Sequence, residues 1–268
     1  MDEASLAYWR TWIGHRNVRQ EVLCVEALRR YAAAVGSDLD VERIAPPIGH
    51  WAFFLQVAPT AELGMDGHPE KGGFLPPIPL PRRMFAAAEI EQSHALRTGK
   101  TATLTDEIVD VAQKAGRSGP LVFVTVERRI AQNRLCVLER QTIVYRGAGG
   151  VEPLPSVAPD ARSDWTPTRV DLFRFSAATF NSHRIHYDGA YAVDVEGHPD
   201  LVVHGPMTAA RLFRFAEERL KKRPSRFHFR ATAPLFVEQP VSLQGGQAEG
   251  VVQAVRCDGV TAVTAQAA

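Results

Sequence analysis

The sequence is poor in cysteine: Cys24, Cys136 and Cys257 stand far apart and in no metal-ligand spacing. Neither a disulfide scaffold nor a cysteine-rich zinc site is implied, and a reducing, cytoplasmic setting is the expectation. Long apolar runs are missing as well. No window approaches the roughly 18 residues of a membrane span, and the opening Met1-Asp2-Glu3-Ala4 lacks the basic-then-apolar pattern of a leader, so the chain reads as soluble. An excess of either charge is absent. Thirty-one Lys and Arg against 30 Asp and Glu leave a formal charge of +1, which gives no bulk electrostatic grip on nucleic acid or anionic lipid. No Walker or Rossmann fingerprint occurs: Gly147-Ala148-Gly149-Gly150 is followed by neither Lys-Ser/Thr nor a helical pattern, so no nucleotide-driven chemistry is implied.

What remains is 268 residues, 45% apolar and 23% charged, enough for one large domain or two smaller ones. The stretch 147–167, dense in Gly, Pro, Ala and Ser, is the best linker. It suggests an N-terminal unit over 1–147, a linker over 148–167 and a C-terminal unit over 168–268. The two units share motifs. Leu28, Arg30 and Tyr31 precede Leu172, Arg174 and Phe175 by 144 positions, and Ile90, Leu96 and Leu104 precede Phe229, Leu235 and Leu243 by 139. Two matches at nearly one offset favour a duplicated unit.

Runs rich in β-branched and apolar residues predict strands over 85–96, 101–113, 121–132 and 134–146, then over 226–237, 240–248, 250–257 and 260–267, with Asp258-Gly259 as a hairpin turn. Helices are predicted over 21–35, 48–57, 171–180 and 205–220. The last has a broad apolar face from Met207 to Leu220 and a cationic end at Lys221, Lys222 and Arg223, where positive charge suits the helix dipole. The expected fold is α+β and tandem: two antiparallel sheets, each wrapped round a long helix and joined edge to edge.

The densest polar cluster is Asn181-Ser182-His183-Arg184-Ile185-His186-Tyr187-Asp188. Residues 183, 186, 198 and 204 supply four of the nine histidines within 22 positions. This cluster, with Phe173-Arg174-Phe175-Ser176 before it and Leu201-Val202-Val203-His204-Gly205-Pro206-Met207 after it, resembles the MaoC-like hotdog acyl-CoA hydratases and dehydratases. Pro79-Leu80-Pro81-Arg82-Arg83-Met84 and Gly119 to Val126 extend the likeness to the double-hotdog branch that acts on mesaconyl-C4-CoA or itaconyl-CoA. The first half lacks the equivalent loop, its stretch from Ser37 to His50 being about ten residues shorter and without the paired site, so one active site per chain is expected, with the N-terminal unit as a degenerate pseudo-dimer partner, in a monomer or a homodimer. The resemblance implies a hydro-lyase whose coenzyme A is part of the substrate, with no separate cofactor and no metal.

Such hydratases carry Asp-x-Asn-Pro-x-His. Laid on this chain, the motif puts His186 at its histidine and Asn181 at its aspartate, while His183-Arg184 replaces Asn-Pro. An amide orients water but accepts no proton, so the resemblance leaves the base role to His186. It gives the oxyanion site to the backbone N–H of Gly205, where a helix start offers unpaired donors. His183, His204 and Tyr187 are candidates for ordering the loop or the substrate. Arg184 is a candidate for meeting a substrate carboxylate, and Arg82, Arg83, Arg117 and the 221–226 cations, Arg226 included, for meeting the phosphates of coenzyme A. Phe53, Phe54, Phe74, Leu75 and Met84 are candidate walls of the acyl pocket. Three rivals stand beside this reading: an (R)-3-hydroxyacyl-thioester dehydratase of fatty-acid metabolism, a non-catalytic acyl-CoA-binding module, and an iron site built from His186, Asp188 and His204.

Overall fold

A computed structural model describes residues 3–37, 40–116, 119–149 and 153–268. Two elements open the chain that the sequence pattern did not announce. Helix α1 (Glu3–Arg10) is eight residues long and buries only Trp9. Strand β1 (Arg16–Val22) is polar at five of its seven positions and leaves Val18 and Val22 exposed, so it lacks the alternation by which a half-buried strand is recognised. It lies at the sheet edge, paired only with the long strand that follows later in the chain. Helix α2 (Val25–Val35) therefore starts four residues after the predicted boundary, because residues 21 and 22 still belong to β1.

The eight predicted strands all form, most of them shorter than expected. They are β2 (Arg82–Gln92), β3 (Thr101–Gly116), β4 (Gly119–Ala131), β5 (Leu135–Arg146), β6 (Arg226–Ala231), β7 (Val241–Gly245), β8 (Val251–Arg256) and β9 (Thr261–Ala267). Asn133, at φ 61, turns β4 into β5. All nine strands make one antiparallel sheet in the order β1-β3-β4-β5-β2-β6-β9-β8-β7. Apart from β1, the order reads as one four-stranded unit met by its own rotated copy, β3-β4-β5-β2 against β6-β9-β8-β7.

The register at the junction makes the duplication concrete. Ala88 faces Phe229 and Ile90 faces Phe227, and the 139-residue offset carries each pair into the other. The pseudo-dyad thus passes between Glu89 and His228, which face each other. Tyr31 and Phe175, equivalent at the other offset, also meet, with ring centroids 6.1 Å apart. Joining two β edges in this way removes both from solvent.

Helix α3 (Arg169–Thr179) begins with a capping box between Thr168 and Asp171, and helix α4 (Gly205–Leu220) begins with Pro206 in its first turn. Helix α4 lies on β2, β6, β8 and β9, burying Met207, Ala209, Leu212, Phe213 and Ala216 in the larger of two cores. The smaller core joins Trp9 to Ile78, Ile108 and Val122.

The N-terminal half departs from expectation at the predicted helix 48–57, which is a single 3₁₀ turn, Gly49–Ala52. Prolines 46 and 47 precede it, and Phe54 adopts φ 53 just beyond it, so the i to i+4 ladder cannot extend. Only the C-terminal half therefore has a long helix lying on its part of the sheet among the described residues.

In the N-terminal half, the 3₁₀ turn instead anchors a buried polar network. Glu139 on β5, fully buried, accepts from Trp51 Nε1 at 3.0 Å and Gln141 Nε2 at 3.0 Å, and lies 3.1 Å from His50 Nε2. Burial pushes the Glu139 carboxyl up, but His50 and the nearby Arg128 guanidinium outweigh it and hold the group below the ordinary carboxylate range.

Candidate active site

The chain after α3 is shaped by three local features. Phe180 adopts a left-handed conformation, φ 48, which reverses the backbone and lets Asn181 N–H donate to Ser176 O at 2.8 Å. The Asn181 Oδ1 then accepts the His183 N–H at 2.9 Å, an Asx turn that starts the 3₁₀ turn Arg184–His186. A non-glycine residue held at positive φ beside polar loop residues is the kind of strain that clusters at functional sites. The π-helical turn Tyr191–Val195 next returns the chain, so that Glu196 comes back against the loop.

These turns bring three histidines together. The His186 and His204 rings stack, with centroids 3.6 Å apart and planes 21° apart, and His183 meets His186 edge-on at 5.3 Å. All three side chains are buried. The Nδ1 of His186 lies 2.7 Å from the Val202 carbonyl. A carbonyl only accepts, so Nδ1 carries the proton and Nε2 keeps a free lone pair. His204 caps the start of α4, with its Nε2 at 2.9 Å from Ser176 Oγ and its Nδ1 unpartnered.

A fourth histidine comes from the N-terminal half. His68 sits 4.1 Å, ring to ring, from His183, and its Nδ1 is 3.1 Å from Asp66 Oδ2. The two halves lock here through backbone. Arg184 N–H donates to Asp66 O at 2.9 Å, and Ser182 Oγ donates to Gly67 O at 2.5 Å. Gly67 has φ +84, and a Cβ on it would stand 1.9 Å from Ser182 O, so only glycine permits the contact. Sequence reasoning missed Asp66, His68 and Glu196. Their only signal was polarity in a Gly- and Pro-rich stretch or beyond the recognised cluster, and their importance arises from chain crossing rather than spacing.

The other candidate residues are held as follows. Glu196 lies 3.5 Å from both His183 Nε2 and Arg82 Nε. Arg184 spends its guanidinium on Asp188, at 2.7 and 3.0 Å, and lies over the Tyr191 ring. Tyr187 is exposed and donates to Ser182 O at 3.2 Å. Arg83 is buried and donates to Pro69 O. Lys221, Lys222 and Arg223 stand at the far end of α4, about 24 Å from Gly205 by helical rise, and Arg226 is 3.6 Å from Glu91. Arg117 lies outside the described residues. Phe53 and Phe54 belong to the larger core, whereas Phe74 and Leu75 lean on the smaller one.

The iron set His186, Asp188 and His204 is not assembled. Asp188 turns to Arg184 and the Tyr191 N–H, while His186 and His204 turn to Val202 and Ser176. Asp66, His68 and His183 do bring donor atoms within 4.8 Å of one another. The positive charge of Arg83, felt by both Asp66 and His68, opposes a cation there.

Burial, followed by the neighbouring His204 and His183, holds the His186 imidazole well below the ordinary histidine range. Burial and then His183 bring His204 down to about 3. His68 falls to about 4, chiefly by burial, with Asp66 opposing. All three rings are neutral at pH 7. The unfolded chain recovers ordinary affinity near 6.5, so below that pH it binds more protons than the folded chain. The stability contributed by these rings is complete above about pH 6.5 and is lost as pH falls toward 3–4, at up to about 1.4 kcal/mol per pH unit for each ring. Thermal melts between pH 8 and 4 are expected to show a decline beginning near pH 6.5; a flat profile down to pH 4 contradicts buried neutral imidazoles.

A neutral imidazole with a free Nε2 thus lies beside a helix start in a double hotdog sheet, a fold shared with a MaoC-like dehydratase of known structure at a TM-score of 0.68. The chain belongs to the hydroxyacyl-thioester dehydratase type 2 family, whose model matches residues 48–237. It is 42% identical to mesaconyl-C(4)-CoA hydratase of Chloroflexus aurantiacus, over 97% of this chain and 98% of that protein. It is 27% identical to the mitochondrial hydroxyacyl-thioester dehydratase type 2 of Schizosaccharomyces pombe, over 72% of this chain and 75% of that one. In fold it is similar to HtdX of Mycobacterium tuberculosis, with a TM-score of 0.67 at 16% identity, covering 94% of this chain and 99% of that one.

Proposed function

We propose that the protein adds water reversibly across the double bond of a short, branched C5-dicarboxyl enoyl-CoA, with mesaconyl-C4-CoA giving citramalyl-CoA. The observation that carries this reading is the fixed tautomer of His186. With Nδ1–H given to Val202 O, Nε2 accepts a proton from water as the oxygen adds to the β carbon. The electrons move to the thioester oxygen, where the N–H of Gly205 and the positive end of α4 stabilise the enolate. The imidazolium then returns its proton to the α carbon, so no cofactor is consumed. Asn181 in this scheme orients the water through its amide, its Oδ1 being engaged by His183 N–H. The likeness to the Chloroflexus hydratase across nearly the whole of both chains supports the dicarboxyl substrate.

A second reading, dehydration of longer (R)-3-hydroxyacyl thioesters, is favoured by the family model and the yeast relative. A panel of mesaconyl-, itaconyl-, crotonyl- and longer enoyl-CoA esters separates the two. The proposal expects the highest kcat/KM with mesaconyl-C4-CoA, and a preference for long, unbranched chains overturns it. Itaconyl-CoA with coenzyme A on the far carboxyl lacks conjugation to the thioester and needs prior isomerisation, so slower turnover is expected.

The oxyanion role has its own test. A Cβ on Gly205 meets only Phe85 O, at 3.5 Å, an ordinary contact that leaves the fold free to accept alanine. Gly205→Ala is expected to keep its melting temperature while kcat/KM falls by about tenfold or more, because the methyl crowds the oxygen rather than the protein. Unchanged kinetics in this variant contradict close approach of substrate to that N–H.

A further inference from the structure

The N-terminal side of the histidine row holds two cations, Arg83 and Lys71, against one nearby carboxylate, Asp66, which His68 already engages. Arg83 is 8% exposed, yet among the described residues its guanidinium has no carboxylate within 4 Å. Its Nη2 donates to the Pro69 carbonyl at 3.0 Å. Lys71 donates to the Leu80 carbonyl and lies 5.8 Å from the centre of the Tyr145 ring. Tyr145, opposite Arg83 in the β2–β5 register, is fully buried, and the neighbour its hydroxyl feels is the Arg83 guanidinium, with no well-aligned hydrogen bond to any described residue. The carboxylate near enough to act on these groups, Asp66, is engaged by His68.

A buried guanidinium with no carboxylate in direct contact and a buried hydroxyl with no well-aligned acceptor or donor are each costly. Their occurrence side by side, with an ammonium next to them, describes a seat for a small anion. Arg184, the cation that the sequence offered for a substrate carboxylate, is already paired with Asp188. We infer that Arg83, Lys71 and the Tyr145 hydroxyl bind the free carboxylate of the dicarboxyl substrate, and that this seat, built by the N-terminal half, sets the preference for dicarboxyl over monocarboxyl enoyl thioesters. The inference rests on the functional reading above. The enclosed position favours a carboxylate on the acyl group over the phosphates of coenzyme A, which belong at a solvated surface.

The test compares kcat/KM for mesaconyl-C4-CoA and for crotonyl-CoA, which lacks the carboxylate, in wild type, Lys71→Met and Tyr145→Phe. The second variant removes only a hydroxyl whose one polar neighbour is Arg83 and keeps the buried ring; melting curves check that the fold is retained. Each variant is expected to lose about tenfold or more with mesaconyl-C4-CoA, mainly through KM, and less than about twofold with crotonyl-CoA. Equal losses on both esters overturn the inference, since groups that hold coenzyme A or the fold act on both alike. No loss on either also overturns it. A wild-type enzyme that hydrates crotonyl-CoA but not mesaconyl-C4-CoA defeats the functional reading itself, and that outcome is visible before any variant is made.

Discussion

His186→Ala is expected to lower kcat for enoyl-CoA hydration by at least about a hundredfold, the lower end of what a positioned general base contributes. The expectation follows from the tautomer. Val202 O takes the Nδ1 proton, burial keeps the ring uncharged, and His204 stacked on one face limits its rotation, so one basic nitrogen is presented in one direction. Neither neighbour replaces it: His204 Nε2 is turned to Ser176, and His183 lies against Glu196 and His68. The deletion leaves the Val202 carbonyl without its donor and a ring-sized space, a cost of about 2–4 kcal/mol, so melting curves are read beside the kinetics. Unchanged turnover in a folded variant removes His186 from the chemistry.

Glu139→Ala is expected to have the largest effect on stability, about 3–5 kcal/mol, the range for breaking a buried charged network by deleting one partner. The alanine strands the buried Trp51 indole N–H and His50 ring, and releases the half-buried Gln141 amide to solvent. Arg128 also loses one of the two carboxylates that support its charge, Asp106 being the other. Trp51 packs edge-on against Phe85 of β2 and Phe229 of β6, so loss of the network loosens the junction between the two halves. Chemical denaturation measures the change, and a midpoint close to wild type contradicts a structural role for the network. Glu139→Gln, which keeps one acceptor, is expected to lose less.

The strands were legible because alternation and turn residues mark them directly, and the sheet junction was prefigured by the 139-residue offset that reappears in the pairing of Ala88 with Phe229. Strand β1 was hidden by its largely polar, solvent-facing sequence, and the helix predicted at 48–57 failed because Pro46, Pro47 and the demand of Glu139 for His50 and Trp51 outweighed an apolar run. At the site, the histidines of one local segment were readable, and the contributions of Asp66, His68 and Glu196 were not. The first two reach the site through Gly67, whose missing side chain admits Ser182 O. Glu196 reaches it through a π-helical turn. Neither device leaves a periodic trace.

The central claim is a statement about one proton on one ring, and nitrogen-15 NMR of histidine-labelled protein at pH 7 reads it directly. His186, assigned by comparison with His186→Ala, is expected to show a protonated Nδ1 and an unprotonated, pyridine-like Nε2, with no change as pH falls from 7 to 6. A ring protonated at Nε2, or an imidazolium at neutral pH, contradicts the account.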